Sequence, residues 1–135
     1  MKTYAAWYDH EIRKQSSSGG LFSLIAQNYE VVYGAAMTED CYGAEFRRMT
    51  GDIAPLRGSK YLQAGVGDSF QQAKQDLEAG KTVLFSGTGC QINGLRMFLQ
   101  KDYPNLLTVD VVCHGVPSPE LWRQYVLFME KSTGN

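Results

Sequence analysis

Two cysteines and a histidine are the residues of this chain whose placement most suggests chemistry. Cys90 lies in Phe85-Ser86-Gly87-Thr88-Gly89-Cys90-Gln91, and Cys113 lies in Val112-Cys113-His114-Gly115-Val116-Pro117-Ser118. Each stretch follows a short apolar run. If both runs are parallel strands of one α/β sheet, both cysteines fall at carboxyl ends, where open sheets gather ligands. Adjacent strands are about 5 Å apart, so the pair could bind a metal, supply a nucleophile, or do neither. Cys90 also falls in the first turn of a helix, whose free amides and dipole favour a thiolate, and His114 could act as its base. No P-loop or nucleophile-elbow pattern accompanies them, so a cysteine hydrolase ranks last. Taken singly, a cysteine in a reducing compartment is more often a small buried hydrophobe than a chemical group. By the same reasoning His114 reads as a turn residue bonded to backbone, and His10 as a solvated residue in a polar loop.

Two other stretches suit a phosphate or a flat ring. Ser16-Ser17-Ser18-Gly19-Gly20 opens a helix with hydroxyls and bare amides, a natural phosphate cradle. A flexible cap is the equal alternative. Arg57-Gly58-Ser59-Lys60-Tyr61-Leu62-Gln63 combines a cation, a hydroxyl and an aromatic, against the plainer reading of a surface loop with a snorkelling lysine. Gly87-Thr88-Gly89 resembles the start of a dinucleotide fingerprint. Ile92 stands where the third glycine belongs, however, and Gly94 comes late, so a standard Rossmann site is not expected.

The elements that must position these residues follow from periodicity and capping. Thr3 to Tyr8 reads as a β-prone strand, and Leu21 to Tyr29 as a helix. Val31 to Ala36 and Tyr42 to Met49 read as strands around an acidic turn at Glu39-Asp40. Asp68, with Gln71 three residues on, predicts a helix start, and Gly80 its end. Thr82 to Ser86 and Leu106 to Val112 read as buried strands, with Cys90 to Leu99 helical between them. Ser118 and Pro119 begin a last helix whose Leu121, Trp122, Tyr125 and Met129 are expected to bury inward. Residues 131–135 read as a frayed end. Strand, helix, strand, helix implies parallel pairing with a right-handed crossover. The expected fold is α/β, a mixed and partly parallel sheet flanked by helices in a single domain.

Composition sets the bounds. At 135 residues, 44% hydrophobic and 20% charged, the chain is one ordinary globular domain. A formal net charge of −1 gives no reason to expect nucleic acid or an anionic membrane as partner. No apolar run approaches the roughly 20 residues of a membrane span, and no signal-peptide core follows Met1, so the expected location is cytoplasmic. Three cysteines argue against a disulfide framework; Cys41 reads as a packing residue of its strand.

Taken together, the Ser16–Ser23 stretch, Val32-Tyr33-Gly34-Ala35, Arg57-Gly58-Ser59-Lys60-Tyr61 and the segments around Cys90 and Cys113 resemble one family. Their order and rough spacing are those of the coenzyme F420 hydrogenase/dehydrogenase beta subunits. The resemblance spans nearly the whole chain and implies FAD and at least one [4Fe-4S] cluster. It implies electron exchange with other redox subunits, ferredoxin or a deazaflavin coenzyme. It assigns Ser17, Ser18, Gly19, Gly20, Gly58, Ser59, Lys60 and Tyr61 to the flavin, and Cys90 and Cys113 to cluster iron. Two departures stand out. Gly89 occupies a position where the family usually has proline. The family's downstream C-x-x-C and upstream ferredoxin-like segments have no counterpart in this sequence, so the cluster is expected to be incomplete or absent in this chain alone. The expected function is an electron-transfer oxidoreductase domain. The alternative is a non-catalytic nucleotide-binding or interaction module, and a homo-oligomer is compatible with either.

Overall fold

The computed structural model describes residues 1–134. Five strands form one sheet in the order β3-β2-β1-β4-β5: β1 (Val31–Met37), β2 (Ala44–Met49), β3 (Ala64–Gly65), β4 (Val83–Thr88) and β5 (Leu106–Val111). β1 and β2 are antiparallel, while β1, β4 and β5 run parallel, with Thr88 opposite Val111 at the last register pair. The expected mixed, partly parallel α/β domain is what forms.

Alternation along the central strands sorts side chains to two faces. Val31, Tyr33, Val83 and Phe85 point one way, onto Ala73 and Leu77 of α3 (Ser69–Glu78) and Ile92, Leu95 and Leu99 of α4 (Gly89–Leu99). Val32, Ala36 and Leu84 point the other way, onto Ala26 of α2 (Leu21–Ala26) and onto Ile53 and Leu56 around a 3₁₀ turn. Apolar side chains therefore cover both faces of β1 and β4, as buried parallel strands require.

One polar cluster sits within this core. The buried Asp76 carboxylate accepts Tyr33 Oη at 2.6 Å, Arg48 Nε at 2.7 Å, Arg48 Nη2 at 2.8 Å and Lys81 Nζ at 2.8 Å. The bidentate Arg48 bond holds the Asp76 carboxyl well below the usual carboxylate range. Burial, reinforced by Asp76, raises the Tyr33 phenol.

Several elements differ from expectation. Residues 3–8 form no strand; they lie largely exposed and are tied to the body by Tyr8 N–H donating to Gly19 O at 2.7 Å. An unexpected short helix α1 (His10–Lys14) follows, because Asp9 Oδ1 accepts the Glu11 and Ile12 amides. Its His10 is a surface residue beside Glu11, as expected. Asp68 caps no amide with its side chain and instead accepts Gln72 Nε2. Cys41 is exposed in a turn at φ 61°, not packed in a strand. Asp40 builds that turn by accepting Thr38 Oγ1 and the Tyr42 amide, which delays β2 to Ala44.

The largest differences lie at the sheet edge. β5 has strand partners on one side only, and much of it is exposed, so the expected buried strand is an edge strand. Helix α5 (Pro119–Thr133) starts at Ser118, whose Oγ accepts the Leu121 amide, but it buries no residue fully. Leu121, Tyr125 and Met129 are exposed; Trp122 alone of the expected inward set is half-buried, against Ala44, Leu62 and Ala64. Lys131 to Thr133 are helical rather than frayed, Gly134 ends the helix at φ 72°, and Asn135 lies outside the described residues.

Candidate functional site

The carboxyl edge of β4 and β5 carries both cysteines. Cys90 and Cys113 each come two residues after the register pair Thr88–Val111, and both are exposed. The topology thus brings together the two thiols that the sequence singled out. Cys90 lies in the first turn of α4, and its Sγ is 3.1 Å from Thr88 Oγ1. Thr88 Oγ1 donates to Gln91 Oε1 at 3.0 Å. That carboxamide oxygen only accepts, and a hydroxyl has one proton, so in this arrangement the Cys90 thiol donates to Thr88. Cys113 Sγ accepts the Gly115 amide at 3.3 Å. His114 is exposed in the loop beyond β5, and Cys90 bonds Thr88 rather than His114, so no Cys–His pair forms.

Gln91, to which no candidate site motif assigns a role, joins this edge to the rest of the site. Its Oε1 accepts the Thr88 amide at 2.9 Å, and its Nε2 donates to Ala64 O at 3.3 Å on β3. Thr88-x-x-Gln91 fits the S/T-x-x-E/Q template of a capped helix start, which was the available signal. Gly87 is spent on this packing: a Cβ there would lie 3.1 Å from Gln91 Oε1 and 3.2 Å from Phe46. It belongs to β4 rather than to a phosphate-binding turn. Gly89 opens α4 without a left-handed φ, so at the backbone it does what a proline at the first helical position would do. Its Cα faces the Asp110 carboxylate, 3.2 Å from where a Cβ would stand.

Upstream of β3 the two glycine-flanked stretches meet. Ser17 Oγ accepts the Ser59 amide at 2.7 Å, and a Cβ on Gly58 would lie 3.8 Å from the same oxygen. Arg57 Nε donates to Ser23 Oγ and Arg57 Nη1 to Gln15 Oε1, pinning the second loop to α2 and its approach. Lys60 Nζ turns back onto the carbonyls of Arg57 and Pro55 at 2.8 and 3.0 Å, and burial lowers its pKa. Tyr61 is 80% exposed. Gly19 needs to be glycine because the chain itself covers it: a Cβ would stand 2.6 Å from Ala6 O. Gly20 and Gly58 hold φ near 80°, the left-handed region that favours glycine.

These residues fit the implied cofactors only in part. The cavity beside Ser23 and Arg57 holds about 180 Å³, below the roughly 300 Å³ of a small-ligand pocket. None of residues 17–20 or 58–61 lines it. A cubane cluster takes four ligands, usually all thiolates. Among the described residues no group of three or more His, Cys, Asp or Glu side chains is placed to hold a metal. Two thiols are half a set, and the described chain does not fit the cluster by itself.

Comparison with known proteins agrees with this topology. Residues 80–134, covering β4, α4, β5 and α5, match the family described as the C terminus of the coenzyme F420 hydrogenase/dehydrogenase beta subunit. No curated protein matches the chain in sequence. Among solved structures, a chain of the F420-reducing [NiFe] hydrogenase complex from Methanosarcina barkeri, described as a xenon derivatization, superposes with a TM-score of 0.69 at 20% identity. The match takes in 90% of this chain but 46% of that one, and it is a likeness of fold. Over residues 80–134, then, the chain is similar to the C terminus of the coenzyme F420 hydrogenase/dehydrogenase beta subunits.

Proposed function

We propose that this domain is part of a flavin- and iron–sulfur-dependent electron-transfer subunit, in which it supplies one wall of the flavin site and two of the cluster thiolates. The observation that carries this reading is the Ser17–Ser59 bond, which joins two motifs distant in sequence. Gln91 then ties β3, just beyond the second motif, to the helix start bearing Cys90. A bound flavin would supply the interchange between hydride and single-electron transfer. The chain's own part is to hold a phosphate or ring against Ser18, Ser59 and Tyr61, and to present Cys90 and Cys113 on one edge. No step is assigned to the cluster, because the described residues supply half its ligands. Residues 1–135 are read as one α/β domain of a longer beta-subunit-type oxidoreductase, cytoplasmic and working with another redox subunit, ferredoxin or a deazaflavin. No helix among the described residues is long and apolar enough to cross a membrane.

A second reading, an interaction module without redox function, draws on a different observation: Ser17 and Lys60 already spend their polar groups inside the chain. FAD titration by flavin fluorescence quenching separates the two. Micromolar binding weakened by Tyr61→Ala, whose ring is exposed, supports the first reading. A well-folded chain that leaves FAD fluorescence unchanged sinks it.

A further inference from the structure

Helix α5 lies on the body by one side and turns an apolar stripe to solvent. Its inward side is set by Trp122, whose Nε1 donates to Cys41 O at 3.0 Å, and by Glu130, which accepts Tyr42 Oη at 2.6 Å. The outward side carries Leu121, Tyr125 and Phe128, respectively 61%, 52% and 64% exposed. These recur at the spacing of one helix face over about two turns. A stripe of this kind on a helix otherwise anchored by few side chains marks an interaction surface.

Charge placement identifies what fits it. Glu120 and Lys131 stand about three turns apart and so share one rim of the stripe, one at its amino end and one at its carboxyl end. Glu120 accepts Gln124 Nε2 within the helix and leaves its other oxygen free. Laid antiparallel against another α5, with the two-fold axis crossing near Tyr125, Glu120 of each copy faces Lys131 of the other. Leu121, Tyr125 and Phe128 then meet their counterparts in the middle. A parallel two-fold pairing would carry the two rims to opposite sides of the seam and leave these charges without each other. Such an isologous contact is the ordinary way a surface patch complements itself. We propose that the exposed face of α5 binds a second copy of this chain in an antiparallel helix pair. The proposal requires no cofactor and stands apart from the redox reading.

Sedimentation velocity on the full chain, from nanomolar to high micromolar, tests it. A concentration-dependent dimer is expected. Phe128→Glu should weaken it by a factor on the order of 10³, since an aromatic anchor contributes about 2 kcal/mol in each copy. Its far-UV circular dichroism should stay unchanged, because the residue is exposed. Glu120→Lys should weaken the dimer about fivefold through its two symmetry-related pairs, and adding Lys131→Glu should restore it. A chain monomeric at every concentration overturns the proposal and leaves the stripe to a different protein. A dimer indifferent to Phe128→Glu, or a double charge reversal that fails to recover affinity, overturns it equally.

Discussion

Replacing Asp76 by asparagine is the sharpest test of how this fold is held together. The carboxylate is buried and takes four bonds, two on each oxygen: Tyr33 Oη and Arg48 Nε on Oδ2, Arg48 Nη2 and Lys81 Nζ on Oδ1. Asparagine keeps the shape but turns one oxygen into a donor: at the Oδ1 position it faces Arg48 Nη2 and Lys81 Nζ, and at the Oδ2 position it faces Arg48 Nε, where only the Tyr33 hydroxyl can turn to accept. Breaking a buried ion pair costs about 3–5 kcal/mol. Arg48 and Lys81 are themselves partly exposed and can turn to water, so the lower end, about 3 kcal/mol, is expected. Tyr33→Phe keeps the ring stacked on Phe85 and removes one charge-assisted bond, for about 1.5 kcal/mol. The pH dependence follows from the direction of the shift. The folded Asp76 carboxyl is held below its ordinary value of 3.8, so its stabilisation is fully present above that value. It is lost as pH falls below 3.8 toward the folded value. Urea unfolding followed by circular dichroism should therefore show the gap between wild type and Asp76→Asn narrowing from pH 7 to pH 3. A loss below 1 kcal/mol at pH 7, or a gap that stays constant with pH, would refute the reasoning.

Other outcomes follow from single contacts. Gly19→Ala places a methyl 2.6 Å from the Ala6 carbonyl oxygen, a backbone atom. The Tyr8–Gly19 bond should break, which hydrogen exchange at the Tyr8 amide would register as lost protection. Gln91→Leu removes the acceptor at Thr88 and the donor to Ala64. It should lower stability by about 1–2 kcal/mol in denaturant titration and speed exchange across β3. Anaerobic reconstitution with iron and sulfide should leave the chain short of a full cubane, and finding four irons and four sulfides on a demonstrable monomer would contradict the half-set of ligands.

The central βαβ unit was legible because its signals are local. Compact apolar runs, Gly80 at a helix end, and Ser118 followed by Pro119 each specify backbone within a few residues. Placing Cys90 and Cys113 on one edge needed only the inference that β4 and β5 are parallel. What failed were inferences about partners. Thr3 to Tyr8 has strand composition, but a strand forms only where a neighbour offers a ladder, and here the segment crosses Gly19 instead. The Asp76 cluster joins β1, β2 and α3 through residues with no shared sequence spacing, so no pattern could announce it.

Helix α5 shows where periodicity stops informing. The spacing of Leu121, Trp122, Tyr125 and Met129 establishes that one side of the helix is apolar, and a single-chain reading assigns that side to the core. In the fold the apolar arc is wider than the contact beneath it. Trp122 and Val126 face inward, while Leu121, Tyr125 and Phe128 continue the arc into solvent. Amphipathicity reports a surface that gains by leaving water; it does not say which molecule covers it. Leu121 and Tyr125, whose spacing alone would place them in the core, thus argue together with Phe128 for a partner, and the rim charges Glu120 and Lys131 argue that the partner is another copy.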